Sequence, residues 1–146
     1  MNAPANQAPL LVVTSEHTIQ GTHRGTVRVE SSGTLKLQGT LQGTLDIKPG
    51  ATVLITGVQQ GTVAVAAGAS VTVLGAIQGT TSLERGASVV IEPSGKLAGT
   101  LANNGLVVIR GAFGGAQSGT GTIRLEGSGY IKQPTSVRDG VHYYEW

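Results

Sequence analysis

The side chains here that most readily exchange a proton or bind a metal near neutral pH are three histidines, His17, His23 and His142. A metal would need a third ligand, and a general base would need a nucleophile or an orienting carboxylate within reach. The spacing of the chain supplies neither beside His17 or His23. Cysteine is absent, which excludes disulfides and thiolate metal sites. The nucleophile elbow G-x-S-x-G, the phosphate-cradling P-loop, H-E-x-x-H and D-x-D clusters are absent too. Glycine recurs throughout, but with no helix signal behind it, so it does not read as a phosphate cradle. The sequence makes no positive case for an enzyme, and it predicts no cofactor and no metal.

The elements that would position such residues follow from composition. The chain has 146 residues, enough for one domain, and 39% of them are apolar. Only 3% are aromatic and 12% charged, the latter about half the usual share. Glycine takes 23 positions, and valine, leucine, isoleucine and threonine dominate the rest. That is a composition for narrow strands with frequent corners. No apolar run approaches the roughly 18 to 20 residues of a membrane span, so membrane association is not expected. The opening "MNAPANQAPLLVV" lacks the basic and long apolar regions of a secretory signal, which predicts a cytoplasmic location. Ten Lys and Arg residues stand against eight Asp and Glu, with no basic run to attract nucleic acid.

A repeat organises the middle of the chain. Gly-Thr pairs begin at residues 25, 43, 61 and 79, eighteen apart each time, with a looser continuation at 99 and 121. After each pair comes an alternating apolar segment: Val27 and Val29, Leu45 and Ile47, Val63 and Val65, Thr81 and Leu83, then Ile123 and Leu125. Eight residues on comes a second: Leu35 and Leu37, Val53 and Ile55, Val71 and Val73, Val89 and Ile91, Val107 and Ile109. A third, shorter side carries one apolar residue per repeat: Leu41, Val58 shifted by one, Ile77, Leu97 and Phe113. Alternation at period two means strands with one buried face. Three short sides in register every eighteen residues predict an all-β, single-domain triangular parallel β-helix, a solenoid whose aliphatic columns fill the interior. A hexapeptide-type left-handed β-helix would show single inward residues every six positions, whereas here they come as i, i+2 pairs.

Corner residues agree with this reading. Gly50, Gly68 and Gly86 form a column that Asn104 continues, asparagine being the non-glycine residue most tolerant of positive φ. Thr26, Thr44, Thr62, Thr80, Thr100 and Thr122 are expected to ladder outward beside the Gly-Thr corners. Two residues are inserted near Pro93 and Ser94 and two are lost before Val107, so the register recovers. "GAFGGAQSGTG", residues 111–121, reads as a glycine-rich corner or small loop. Residues 1–9 read as a disordered tail, 10–134 as the β-helix and 135–146 as an aromatic tail able to cap it. On the period, His17 takes the column of Leu35 and His23 that of Leu41, at the water-facing mouth of the first coil.

Outward positions suggest contacts. Arg28 falls one coil from Asp46 and Glu30 one coil from Lys48, which predicts stacked opposite charges. Leu54, Leu74, Val90 and Val108 predict an exposed aliphatic stripe, a surface for another copy, another protein or the C-terminal tail. Tyr143, Tyr144 and Trp146, with Val141, could fold over the last coil, lie along that stripe or dock on a neighbour. An ice-binding face is disfavoured, because the outward centre of the first side runs Arg28, Asp46, Ala64, Ser82 rather than two regular threonine columns.

Coils such as "GTLDIKPGATVLITGVQQ" and "GTVAVAAGASVTVLGAIQ", over about Ser15 to Pro134, resemble the bactofilins, bacterial polymer-forming cytoskeletal proteins. The resemblance is one of pattern, with no single diagnostic motif. It implies a right-handed triangular β-helix that assembles end to end without nucleotide, as a scaffold for cell shape or protein positioning. It also implies a role in polymerisation for a bulky apolar residue near the C-terminal coil, a region where Phe113 lies. The alternative left open by the tail is a capped β-helix, an interaction or immunity-type module presenting one flat face.

Overall fold

The computed structural model describes residues 10–31, 33–127, 129–131, 136–138 and 141–143. The predicted Tyr144 and Trp146 contacts, and the reading of residues 1–9, lie outside the described residues. Among those described, all regular structure is β, and almost all of it is parallel.

Two sheets wind around one core. A 7-stranded sheet stacks the second side of every coil, from Glu16–Ile19 through Thr34–Leu37, Thr52–Ile55, Ser70–Val73, Ser88–Ile91 and Leu106–Ile109 to Thr122–Leu125. A 10-stranded sheet carries both other sides. In the early coils these are separate strands, Thr22–Arg24 and Thr26–Val29, or Thr40–Gln42 and Leu45–Ile47. From the third coil they fuse into the continuous strands Val58–Val65, Ala76–Leu83 and Lys96–Asn103, which pass through the Gly-Thr corner without losing their pairing. A first strand forms at Leu10–Val13 and pairs with Thr26–Val29.

The register is the predicted one through most of the stack. His17, Leu35, Val53, Val71, Val89 and Val107 are successive partners in one column. Their inward neighbours Leu37, Ile55, Val73, Ile91 and Ile109 form another, each fully shielded from water. Burying an aliphatic side chain of this size contributes roughly 1.5–3 kcal/mol, and these columns repeat it coil after coil. The insertion at Pro93 also stands: Ile77 pairs with Leu97, twenty residues on, while Val73 pairs with Ile91, eighteen on.

Glycine forms the corners for two physical reasons. At the Gly-Thr corner, Gly61 and Gly79 have φ of 122° and 119°, a conformation L side chains avoid, and a Cβ on Gly79 would strike the carbonyl of Gly61. At the corner between the second and third sides, a Cβ on Gly75 would strike the carbonyl of Gly57, although no unusual φ is involved. The coils approach too closely there for any side chain.

Four expectations need correction. Ile123 and Leu125 belong to the second side, paired with Val107 and Ile109; the first side continues instead through Leu101 and Asn103. The later Gly-Thr at 121 does not mark that corner: the last coil is sixteen residues long, which shifts the pair to the start of the second side. The inward residue of the third coil is Gln59, fully buried between Leu41 and Ile77, whereas Val58 faces outward and is half-buried. Register overrides polarity here, because slipping one residue would turn every neighbour on the strand to the wrong face. Finally, the glycine-rich stretch at 111–121 is largely strand: Ala112–Ser118 pairs along Lys96–Asn103.

Candidate functional site

With no catalytic cluster in the sequence, the surfaces and interior polar groups hold the candidate sites. Among the described residues no group of three or more His, Asp or Glu residues is placed to hold a metal ion.

Among the described residues, three buried polar side chains occupy aliphatic columns. Asn103 stands above Leu83 and is almost fully buried. Its Oδ1 accepts the Gly105 N–H at 3.0 Å and its Nδ2 donates to the Thr122 carbonyl at 3.0 Å, so it ties a corner of its own coil to the next. Gln59 donates through Nε2 to the Gly43 carbonyl at 3.0 Å and to the Thr62 carbonyl at 3.4 Å, while its Oε1 has no partner. Thr81 stands between Val63 and Leu101, fully buried, with its hydroxyl unpartnered. The alternation marked Thr81 as inward; it gave no sign of Gln59, because a neighbouring valine offered a more apolar choice.

Outside, stacked side chains run along the columns. Arg28 lies 4.0 Å from Asp46, as the period predicts, and Lys36 meets Glu16 at 3.0 Å. Lys48, however, pairs with Asp46 at 3.1 Å and not with Glu30. Arg110 bridges Glu92 at 2.9 Å in the coil before and Glu126 at 3.1 Å in the coil after. Its hydrogen bond to Glu126, followed by that to Glu92, pushes the guanidinium still further above its ordinary range. On the first side the small outward residues Ala64 and Ser82 leave a shallow groove of about 280 Å³ edged by Asp46, Lys48 and Glu84.

The predicted aliphatic stripe is less exposed than expected. Leu74 is 38% exposed, but Leu54 and Val90 are half-buried and Val108 is 8% exposed. On a stacked sheet the side chains one coil above and below cover most of an outward aliphatic residue, so its contact with water is limited to its tip. Phe113 is fully buried in the third-side column, between Leu97 and Ile131, and offers no surface in the single chain. Tyr143 lies on Val141–Tyr143, which pairs antiparallel with Ser136–Arg138 and stands apart from the parallel sheets.

The two ends of the solenoid differ from its sides. At the C-terminal end Leu125 occupies an inward column above Ile109 yet is 54% exposed, and Ile123 is only partly covered. At the N-terminal end Leu11 is partly covered, and His17 and His23 hold the inward places of Leu35 and Leu41. Among the described residues each end is therefore a set of strand edges around an incompletely covered core.

Comparison with family models, with curated proteins and with solved structures finds no match for this chain. What is established is the class, a parallel β-solenoid of stacked coils about eighteen residues apart. Among the described residues no helix is long and apolar enough to cross a membrane.

Proposed function

We propose that this chain is a structural, self-assembling scaffold of bactofilin type whose copies join end to end without nucleotide. The observation that carries the reading is the uncovered terminal coil, above all Leu125, exposed over half its surface at a position where every earlier coil buries an isoleucine, valine or leucine. A second copy would cover that side chain and pair the bare strand edge, extending ladder and core together. The alternative reading, a capped module, would instead cover Leu125 with the C-terminal part of the same chain. The partner is then another copy of the chain, and the setting a bacterial cytoplasm, consistent with the pattern resemblance.

Sedimentation of purified protein at neutral pH, with negative-stain microscopy, tests the reading. Wild type is expected as large assemblies, and Leu125→Arg as a dispersed, folded species, because an unpaired charge would have to be desolvated at the junction. A sharp monomer peak at high concentration and low salt would sink the scaffold reading.

A further inference from the structure

The N-terminal mouth differs from every other layer of the stack in one respect. Successive partners in the His17 column are Leu35, Val53, Val71, Val89, Val107 and Ile123. Successive partners in the His23 column are Leu41, Gln59, Ile77, Leu97, Phe113 and Ile131. Imidazoles thus occupy two inward places in the terminal layer, beside Leu11, Val13 and Ile19, where the fold elsewhere puts mostly aliphatic groups. His17 is exposed, and His23 is half-buried with its Nε2 shielded from water and unpartnered.

We infer that the N-terminal mouth is a pH-gated junction, closed by a second copy of this chain when His17 and His23 are uncharged and opened when they are protonated. The inference rests on the scaffold reading. A copy seated on the mouth removes both imidazoles from water. An imidazolium sealed there would be a buried charge without a partner, which is strongly unfavourable, whereas a neutral imidazole behaves as a modest apolar ring.

Among the described residues no charged group is placed to relieve that cost. On the histidines' own strands, Glu16 and Arg24 project outward. Glu16 is held by Lys36 of the next coil at 3.0 Å, and Arg24 donates to Gln42 at 3.1 Å. Arg28, from the first side, also projects outward toward Asp46, and Glu30 sits at the corner beyond Val29, outside the inward columns. At the opposite end of a copy, Arg124 and Glu126 bind each other at 3.3 Å on the outer surface.

The sign follows from linkage. Closure favours the uncharged form, so each mouth closing at acidic pH must release protons, and association weakens as pH falls. Each imidazolium that closure excludes weakens association by at most tenfold per pH unit, so a loss of about tenfold per histidine, and about a hundredfold for the two, is expected between pH 7.5 and 5.5. Carboxylates ordinarily titrate below this window.

The test is the assembly midpoint concentration of full-length protein, read by light scattering and sedimentation at pH 7.5 and 5.5. Wild type should need about a hundredfold more protein at pH 5.5. His17→Leu/His23→Leu, which installs the residue each column already uses, should assemble alike at both values. His142→Gln should keep the wild-type response. If the double variant lacks a β-sheet circular dichroism spectrum, the single variants decide, each retaining about a tenfold dependence. Wild type assembling equally at both pH values overturns the gate and leaves the scaffold standing, as does a double variant that keeps the full dependence. A chain monomeric at every pH overturns both.

Discussion

Replacing Thr81 by valine should stabilise the protein, although it removes a polar group from a column in which its neighbours are Val63 and Leu101. The Thr81 side chain is fully buried and its hydroxyl finds no hydrogen-bond partner, so folding takes that group out of water without a replacement. Such an orphaned group costs about 1–3 kcal/mol, and valine, with the same branching, removes the cost and adds a buried methyl. Cavity and strain terms should be small, since Val63 already fills the same place one coil earlier without exposure. A net gain of about 1.5 kcal/mol is expected, or roughly 3–6 °C in Tm for a domain of this size. Thermal and urea unfolding of wild type, Thr81→Val and the mirror variant Val63→Thr measure it. A dilution series separates fold stability from association. Val63→Thr should lose a comparable amount. If Thr81→Val proves less stable than wild type by more than about 0.5 kcal/mol while Val63→Thr is neutral, the orphaned-hydroxyl account is wrong, since surface-like substitutions vary by no more than that.

Two further outcomes are expected within the fold. Gly79→Ala should cost more than about 3 kcal/mol, combining a strained φ of 119° with collision against the Gly61 carbonyl, while Gly21→Ala, at φ 79° with open space around it, should cost only the strain. Chemical denaturation of the pair separates the two contributions. Asn103→Leu should lose about 1–3 kcal/mol despite its added apolar surface, because the Gly105 amide and the Thr122 carbonyl both lose a partner. Hydrogen exchange at the Gly105 amide should speed up at the same time.

The architecture was legible because a solenoid is nearly one-dimensional. A residue's neighbours above and below are set by the period, so Leu35, Val53 and Val71 could be stacked by counting. Counting also placed His17 and His23 at the first layer. It failed where the count changes. The sixteen-residue last coil moved Ile123 and Leu125 to another side, and the strand Ala112–Ser118 looked like a loop because glycine there serves close coil-to-coil approach. At Val58 and Gln59 the reason is different: apolarity favours Val58 for the inward place, register assigns it to Gln59, and the fold obeys register.

Local alternation and the eighteen-residue spacing thus determined which residues face inward along most of the chain, because pleating assigns faces and repetition assigns partners. Only the folded chain decided how much of each surface water can reach. Val108 is covered and Leu125 is not, though both are aliphatic, because the strand Thr122–Leu125 lies beyond Val108 and no described strand pairs beyond Thr122–Leu125. The same holds for the orphaned hydroxyl of Thr81 and for the satisfied amide of Asn103, one of whose partners, the Thr122 carbonyl, comes from the next coil.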